Sequence, residues 1–305
     1  MKSKFLFPSS FRPVGILLAI PGFILGYLSV YRQYAIKALE FKIYYKELFQ
    51  DTAQENLQNF TDELALSLVI VGLSFIAFSR LKREDELTAR LRLDALYWGM
   101  LMNYIIYFVA YAGCWLALKS GITNYDPFWG LGNIDLLIYN TFTPLLIFIF
   151  RFQCLISYKK ETYLMPKLHY MPYYPFRLIG KWVSIICIGL ILLRHLEVKF
   201  IETADQWIFY FVFLLPAGLL VWAYSKNADE DELIIQFRLE SMQLAVYVNY
   251  GLLLVANLII FGPSFYTVLD YCFISPLLFF VLRFSYVCNK NYWQVRRDVK
   301  GGLLS

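Results

Sequence analysis

The sequence predicts an all-α integral membrane protein: eight transmembrane helices arranged as two parallel four-helix repeats. Three observations carry that prediction. The 305 residues are 59% hydrophobic and only 17% charged, whereas a soluble domain is roughly 45–50% apolar and about 25% charged. The apolar residues are gathered into long uncharged runs. A charged motif is stated twice at a fixed spacing. This composition excludes an ordinary soluble enzyme, a disordered chain and a disulfide-rich secreted module, because too few charges remain to coat a surface in water.

Each span needs about 20 mostly apolar residues to cross the hydrocarbon layer. The first covers 14–31, without a charge. Lys2 and Lys4 before it resemble a signal sequence, but no small-residue cleavage site follows, so an uncleaved first helix is expected. The second, 64–79, is preceded by Thr61, Asp62 and Glu63, which predict a helix start capped by Thr61. The third covers 95–118. The fourth, 134–156, contains Arg151, and the fifth, 174–194, contains Arg177 and Lys181 and is charge-free only over 182–193. The sixth covers 206–225. The seventh lies in the uncharged run 241–269, and the eighth, 267–288, contains Asp270 and Arg283. Basic side chains near a helix end can snorkel to the headgroups, so these charges are compatible with spanning. Runs such as 277–282 are apolar on every side, which excludes the alternating strands of a membrane barrel. In the loop 32–63, Ile36, Leu39, Ile43 and Leu48 stand at approximate helical spacing among Lys37, Glu40 and Lys46, predicting an amphipathic surface helix that senses a ligand, caps a vestibule or simply connects.

With the N-terminus placed in the cytoplasm, 21 of the 28 Lys and Arg residues fall on the cytoplasmic side and 7 outside. That bias predicts an inner (plasma) membrane protein with both termini cytoplasmic and an even number of spans. The net charge of +5 is then a topology signal. No basic patch is interleaved with aromatics for base stacking, so the lipid bilayer is the expected partner and nucleic acid is not.

The repeat is the strongest internal signal. Glu84-Asp85-Glu86-Leu87 recurs as Glu230-Asp231-Glu232-Leu233, 146 residues later. The same offset pairs Arg92-Leu93 with Arg238-Leu239, Asp94 with Glu240, and Asn103-Tyr104 with Asn249-Tyr250. At an offset of 132, Pro144, Phe148 and Arg151-Phe152 match Pro276, Phe280 and Arg283-Phe284. Phe11-Arg12 with Gly15 resembles Phe176-Arg177 with Gly180. The copies occupy 1–160 and 176–305, joined by a cytoplasmic linker, 161–175. Four spans per copy place both copies in the same orientation, related about an axis along the membrane normal.

The pattern Glu230-Asp231-Glu232, Arg238-Leu239-Glu240-Ser241, Asn249-Tyr250 resembles a group of small multi-pass bacterial membrane proteins of unknown function. The resemblance covers the third helix of each copy and the segment before it. It implies a membrane location and no activity. Asp85-Glu86 with Arg90 also fits the first motif of intramembrane prenyl-protein proteases. That chemistry needs histidines in later spans, whereas His169 and His195 lie in loops or at a helix end and Gln236 replaces the arginine in the second copy, so the match fails.

Asp85, Arg92 and Asn103, and likewise Asp231, Arg238 and Asn249, stand at i, i+7, i+18, which returns to nearly the same helix face. Two readings stand for this polar stripe. It lines a substrate or ion path, or Asn103 and Asn249 hydrogen-bond across the seam between the copies. Asp94 with Arg151, and Glu240 with Arg283, are candidate ion pairs, unless the arginines only snorkel. Asp270 is a candidate intramembrane carboxylate, either gating a cation or lying at the outer headgroups. The repeated prolines act as hinges or shape packing. The five cysteines form no Cys-x-x-Cys, and packing thiols are expected. No catalytic, cofactor or metal constellation is present in the sequence.

The leading functional expectation is a non-enzymatic membrane subunit: a sensor, scaffold or regulator acting through a cytoplasmic or membrane protein partner. The alternatives are a transporter or channel with a path between the copies, and a membrane-embedded enzyme acting on lipid through the cytoplasmic carboxylates.

Overall fold

In a computed structural model of the chain, residues 6–45, 54–82, 86–121, 136–158, 170–195, 205–227, 231–260 and 264–302 are described. They are helical apart from one β-hairpin. Six helices are long and apolar enough to cross a membrane: Phe11–Arg32, Thr61–Phe78, Glu86–Ala117, Tyr173–Leu193, Glu232–Ile259 and Thr267–Tyr292. At the other two expected spans the helices are Thr143–Tyr158 and Asp205–Ala223, of 16 and 19 residues. The fourth expected span is interrupted. Helix α4 (Leu136–Asn140) ends in a turn before α5 (Thr143–Tyr158). The Thr141 hydroxyl donates back to the Ile138 carbonyl there at 2.6 Å, and Pro144 occupies the first turn of α5, where its missing N–H is least felt.

The chain divides into two compact units, Met1–Ala89 with Leu253–Phe265, and Arg90–Leu252 with Tyr266–Ser305. In the first, α1 (Phe11–Arg32) and α2 (Thr61–Phe78) form an antiparallel hairpin. In lipid no hydrophobic effect drives helices together, so backbones approach at small residues to gain packing. Gly15, Ala19 and Gly22 are the buried residues of α1. A Cβ on Gly15 would lie 2.6 Å from the Gly72 carbonyl oxygen, and one on Gly72 would lie 2.6 Å from the Ala19 nitrogen. The opposite face is apolar and open, with Leu17 72% exposed, as a lipid-facing surface requires. Before α1, the Phe7 N–H donates to the Phe78 carbonyl (3.0 Å) and the Arg80 N–H to the Phe7 carbonyl (2.9 Å), tying the chain start to the end of α2. The rings of Phe7, Phe11 and Phe75 pack around this tie at 4.9–5.6 Å.

The expected amphipathic surface helix is replaced. One 3-10 turn, Lys37–Leu39, leads into β1 (Glu40–Tyr45), which pairs antiparallel with β2 (Gln54–Asn59) so that Glu40 faces Asn59. Phe41, Ile43 and Tyr45 alternate, and this period of two in a β-branched and aromatic stretch competes successfully with the helical spacing. Thr61 is also not the cap of α2. The Asn59 side-chain oxygen accepts from the Thr61 N–H at 3.0 Å, while the Thr61 hydroxyl accepts from the Ile36 N–H at 2.9 Å. The Asn59 amide donates to the Ile36 carbonyl at 3.0 Å, so this side chain joins the hairpin to the helix start. Asn59→Ala removes two hydrogen bonds and is expected to cost about 1–3 kcal/mol. Denaturant unfolding in detergent should register it, with Thr61→Val costing less because both of those bonds survive.

In the second unit, α6 (Leu178–His195) and α7 (Asp205–Ala223) form a hairpin with the same features. A Cβ on Gly180 would lie 2.5 Å from the Trp222 nitrogen and 2.9 Å from the Gly218 oxygen. The Met171 N–H donates to the Tyr224 carbonyl (3.0 Å) and the Lys226 N–H to the Met171 carbonyl (2.9 Å). Between Met171 and Gly180 there is one residue more than between Phe7 and Gly15, and a π turn at Tyr173–Arg177 takes it up. The core of this unit contains Tyr97, Tyr104, Leu145, Phe148, Met242, Leu277 and Phe280, all fully buried. They come from α3 (Glu86–Lys119), α5, α8 (Glu232–Ile259) and α9 (Ser264–Gly302).

Candidate functional site

Two arginines are buried in the second unit, Arg92 at 1% exposure and Arg238 at 0%. A buried guanidinium must recover the hydration it loses. The Arg92 guanidinium lies over the Phe152 ring, 4.9 Å from its centroid. Arg238 lies over Phe284 at 4.7 Å and over Tyr170 at 4.4 Å. The ring faces supply negative quadrupole density. Arg238 Nη1 also donates to the Ala223 carbonyl at 2.6 Å. Ala223 ends α7, where carbonyls lack helical N–H partners and carry the negative end of the helix dipole. The Tyr97 hydroxyl donates to the same carbonyl at 3.0 Å, and the Tyr224 hydroxyl donates to the Tyr97 carbonyl at 2.6 Å, with the two rings 4.3 Å apart. Thus α3, α5, α7, α8 and α9 are clamped around two fixed cations.

Beside this cluster, Arg151 Nη2 is 3.5 Å from Asp94 Oδ2, and the guanidinium lies 4.0 Å over the Trp98 ring. The corresponding Glu240–Arg283 pair does not form among the described residues. Glu240 instead accepts from Gln236 Nε2 at 2.8 Å, and the buried Nε of Arg283 has no hydrogen-bond partner. The reason is local sequence. Leu244 lies 146 residues after Trp98, so no ring face holds Arg283 over the carboxylate, and Gln236 lies 146 residues after Arg90.

The deeper members of the stripe are tied to the next helix in the chain. Asn103 donates to Asn140 and accepts from the Thr143 hydroxyl at 2.7 Å. Asn249 accepts from the Ser275 hydroxyl. The expected bond between Asn103 and Asn249 across a seam is therefore replaced. Each amide bonds to a hydroxyl immediately before the repeated proline on the following helix, as a buried amide in an apolar surrounding must find a partner. Tyrosines one residue further on make the longer reach: the Tyr104 hydroxyl donates to the Phe273 carbonyl at 2.7 Å, three residues before the kinking Pro276. Asn249→Leu should cost about 0.6–2 kcal/mol. A double-mutant cycle with Ser275→Ala should show coupling, whereas additive costs would place the two groups apart.

Asp231 lies before α8, exposed, and its carboxylate accepts from the Ile234 N–H at 2.8 Å as a helix cap. Asp85 lies outside the described residues. Asp270 is exposed near the start of α9 and is not brought to the arginines. The five cysteines are free thiols, and Cys187 is buried. Among the described residues, no three His, Cys, Asp or Glu side chains gather into a metal-holding group.

Sequence reasoning missed Thr143, Ser275, Tyr97, Tyr224 and the rings that hold the arginines. One signal was available: Thr143 and Ser275 are both hydroxyl residues immediately before the repeated prolines. No protein-family model, no curated protein and no solved structure matches this chain. Among the described residues, fold and site together define a helical protein with six apolar helices long enough to cross a membrane, carrying a buried guanidinium–aromatic cluster.

Proposed function

We propose that this chain is a non-enzymatic, multi-pass inner-membrane subunit, a sensor, scaffold or regulator acting through protein contacts at its cytoplasmic end. It is built as two tandem four-helix copies with both termini cytoplasmic. The duplication is supported by matched contacts: the Phe7 and Met171 ties, the Gly15–Gly72 and Gly180–Gly218 crossings, the Arg92–Phe152 and Arg238–Phe284 stacks, and the Thr143–Asn103 and Ser275–Asn249 bonds.

One observation carries the functional reading: the repeated motif divides its work by depth. Its arginines and asparagines are spent on internal contacts. Asp94 is buried in its pair with Arg151, whereas Asp231 and Glu232, at the helix start, are exposed. Amides lining a conducting path would be free to meet solute or water, whereas exposed carboxylates at a rigid helix start offer a partner a charged surface. Two assays on the intact protein test this. A photo-crosslinker at Leu233 should give an adduct of one defined mass, lost on Glu232→Lys. Solute or ion flux through proteoliposomes that disappears in Asn103→Leu with Asn249→Leu would favour the transporter reading instead.

A further inference from the structure

Arg283 is the odd member of the four repeated arginines. Arg92 and Arg238 are stacked and fully buried, and Arg151 has both a carboxylate and a ring. Arg283 has neither. Its Nε, like that of the other three, is buried without a hydrogen-bond partner, and what sets it apart is that the carboxylate at the equivalent position, Glu240, is held back by Gln236. A half-buried guanidinium without a counter-charge is costly in low dielectric, and an anion recovers that cost best by bidentate pairing.

Position selects the anion. The apolar span of α9 begins at Thr267, and Arg283 is its seventeenth residue. About 20 residues fill the hydrocarbon layer, so a snorkelling side chain from this position reaches the acyl–headgroup boundary. Its neighbours Leu282 and Tyr286 are 57% and 66% exposed, so the face beside it is open to lipid. The anion always present at that depth is a phosphate diester. We propose that Arg283 is a binding site for the phosphate of an anionic headgroup, kept available because Gln236 diverts Glu240. This rests on the membrane part of the reading above and is independent of the partner role.

Native mass spectrometry of the delipidated full chain, re-exposed to phosphatidylglycerol or to inorganic phosphate, tests it and separates the two sources by adduct mass. A lipid adduct is expected that is lost in Arg283→Gln and retained in Arg151→Gln. Gln236→Ala, which leaves Arg283 in place but frees Glu240 to pair with it, should lose the adduct as well. An adduct of inorganic phosphate alone assigns the site to a soluble phosphate. An adduct that persists in both Arg283→Gln and Gln236→Ala overturns the inference, and so does loss of a co-purifying protein in place of lipid. If alkaline carbonate strips the protein from membranes, the membrane reading itself fails. An integral protein with unchanged lipid binding overturns this inference alone.

Discussion

Gly180→Leu is expected to abolish the α6–α7 hairpin and leave no monodisperse protein after detergent extraction. Even a methyl group at this position would meet the Trp222 nitrogen at 2.5 Å and the Gly218 oxygen at 2.9 Å. Those are backbone atoms of a packed helix, which cannot rotate aside as a side chain would. Overpacking of a single methyl costs roughly 1–3 kcal/mol when neighbours relax, and here the whole of α7 must shift. Gly180→Ala should therefore already lower the unfolding midpoint, and leucine should exceed what the hairpin can absorb. The same outcome is expected for Gly15→Leu, whose Cβ would lie 2.6 Å from the Gly72 oxygen. Gly189 and Gly113 have no atom within 4 Å of a built Cβ, so Gly189→Leu and Gly113→Leu are the controls and should extract and elute as the unaltered protein does. Equal behaviour of Gly180→Leu and Gly189→Leu would show that small-residue contact does not hold this hairpin.

Arg238→Ala is the second large effect. It removes the bond to Ala223, both ring contacts and the volume of a fully buried side chain. Large-to-small truncation of a big core residue costs about 3–5 kcal/mol, and the loss here should fall in that range. Buried charges can be replaced by apolar residues of similar size at little net cost, because the desolvation penalty disappears as well. Arg238→Met separates these terms: it restores volume and loses the charge, and should cost less than alanine. Lysine should not restore stability, because an ammonium cannot lie flat on Phe284 and Tyr170 while bonding the Ala223 carbonyl. Denaturant unfolding in mixed micelles would order the variants as wild type, methionine, alanine.

Much of the architecture was legible in the sequence because its physics is local and additive. A run such as 95–118 must be helical in lipid, since no other backbone arrangement satisfies its own hydrogen bonds there. Offsets of 146 and 132 pointed to residues that make matched contacts, such as Asn103 and Asn249, but Asp94–Arg151 has no counterpart in Glu240–Arg283, because the neighbours differ. Long-range geometry was less accessible. Nothing in the neighbourhood of Arg238 names Tyr170 or Ala223 as its partners, which arrive from 68 and 15 residues away. The surface loop was misread because Ile36, Leu39 and Ile43 fit helical spacing while Phe41, Ile43 and Tyr45 fit strand spacing, and pairing with residues 54–59 decided between them. The Thr61 cap was misassigned for the same reason, because Asn59 reaches the helix start only once β2 brings it there.

The central claim is a membrane bundle whose two copies enter in one orientation, with both chain ends on one side. The most direct test is single-cysteine labelling with a membrane-impermeant reagent in intact cells, in a background lacking the five native cysteines. Cysteines at Ser9, Lys82, Lys226 and Lys290 should react only after the membrane is opened, and one at Glu40 in the hairpin should react from outside. Labelling of Lys290 from outside while Ser9 remains protected would give an odd number of crossings and contradict the duplicated, parallel architecture.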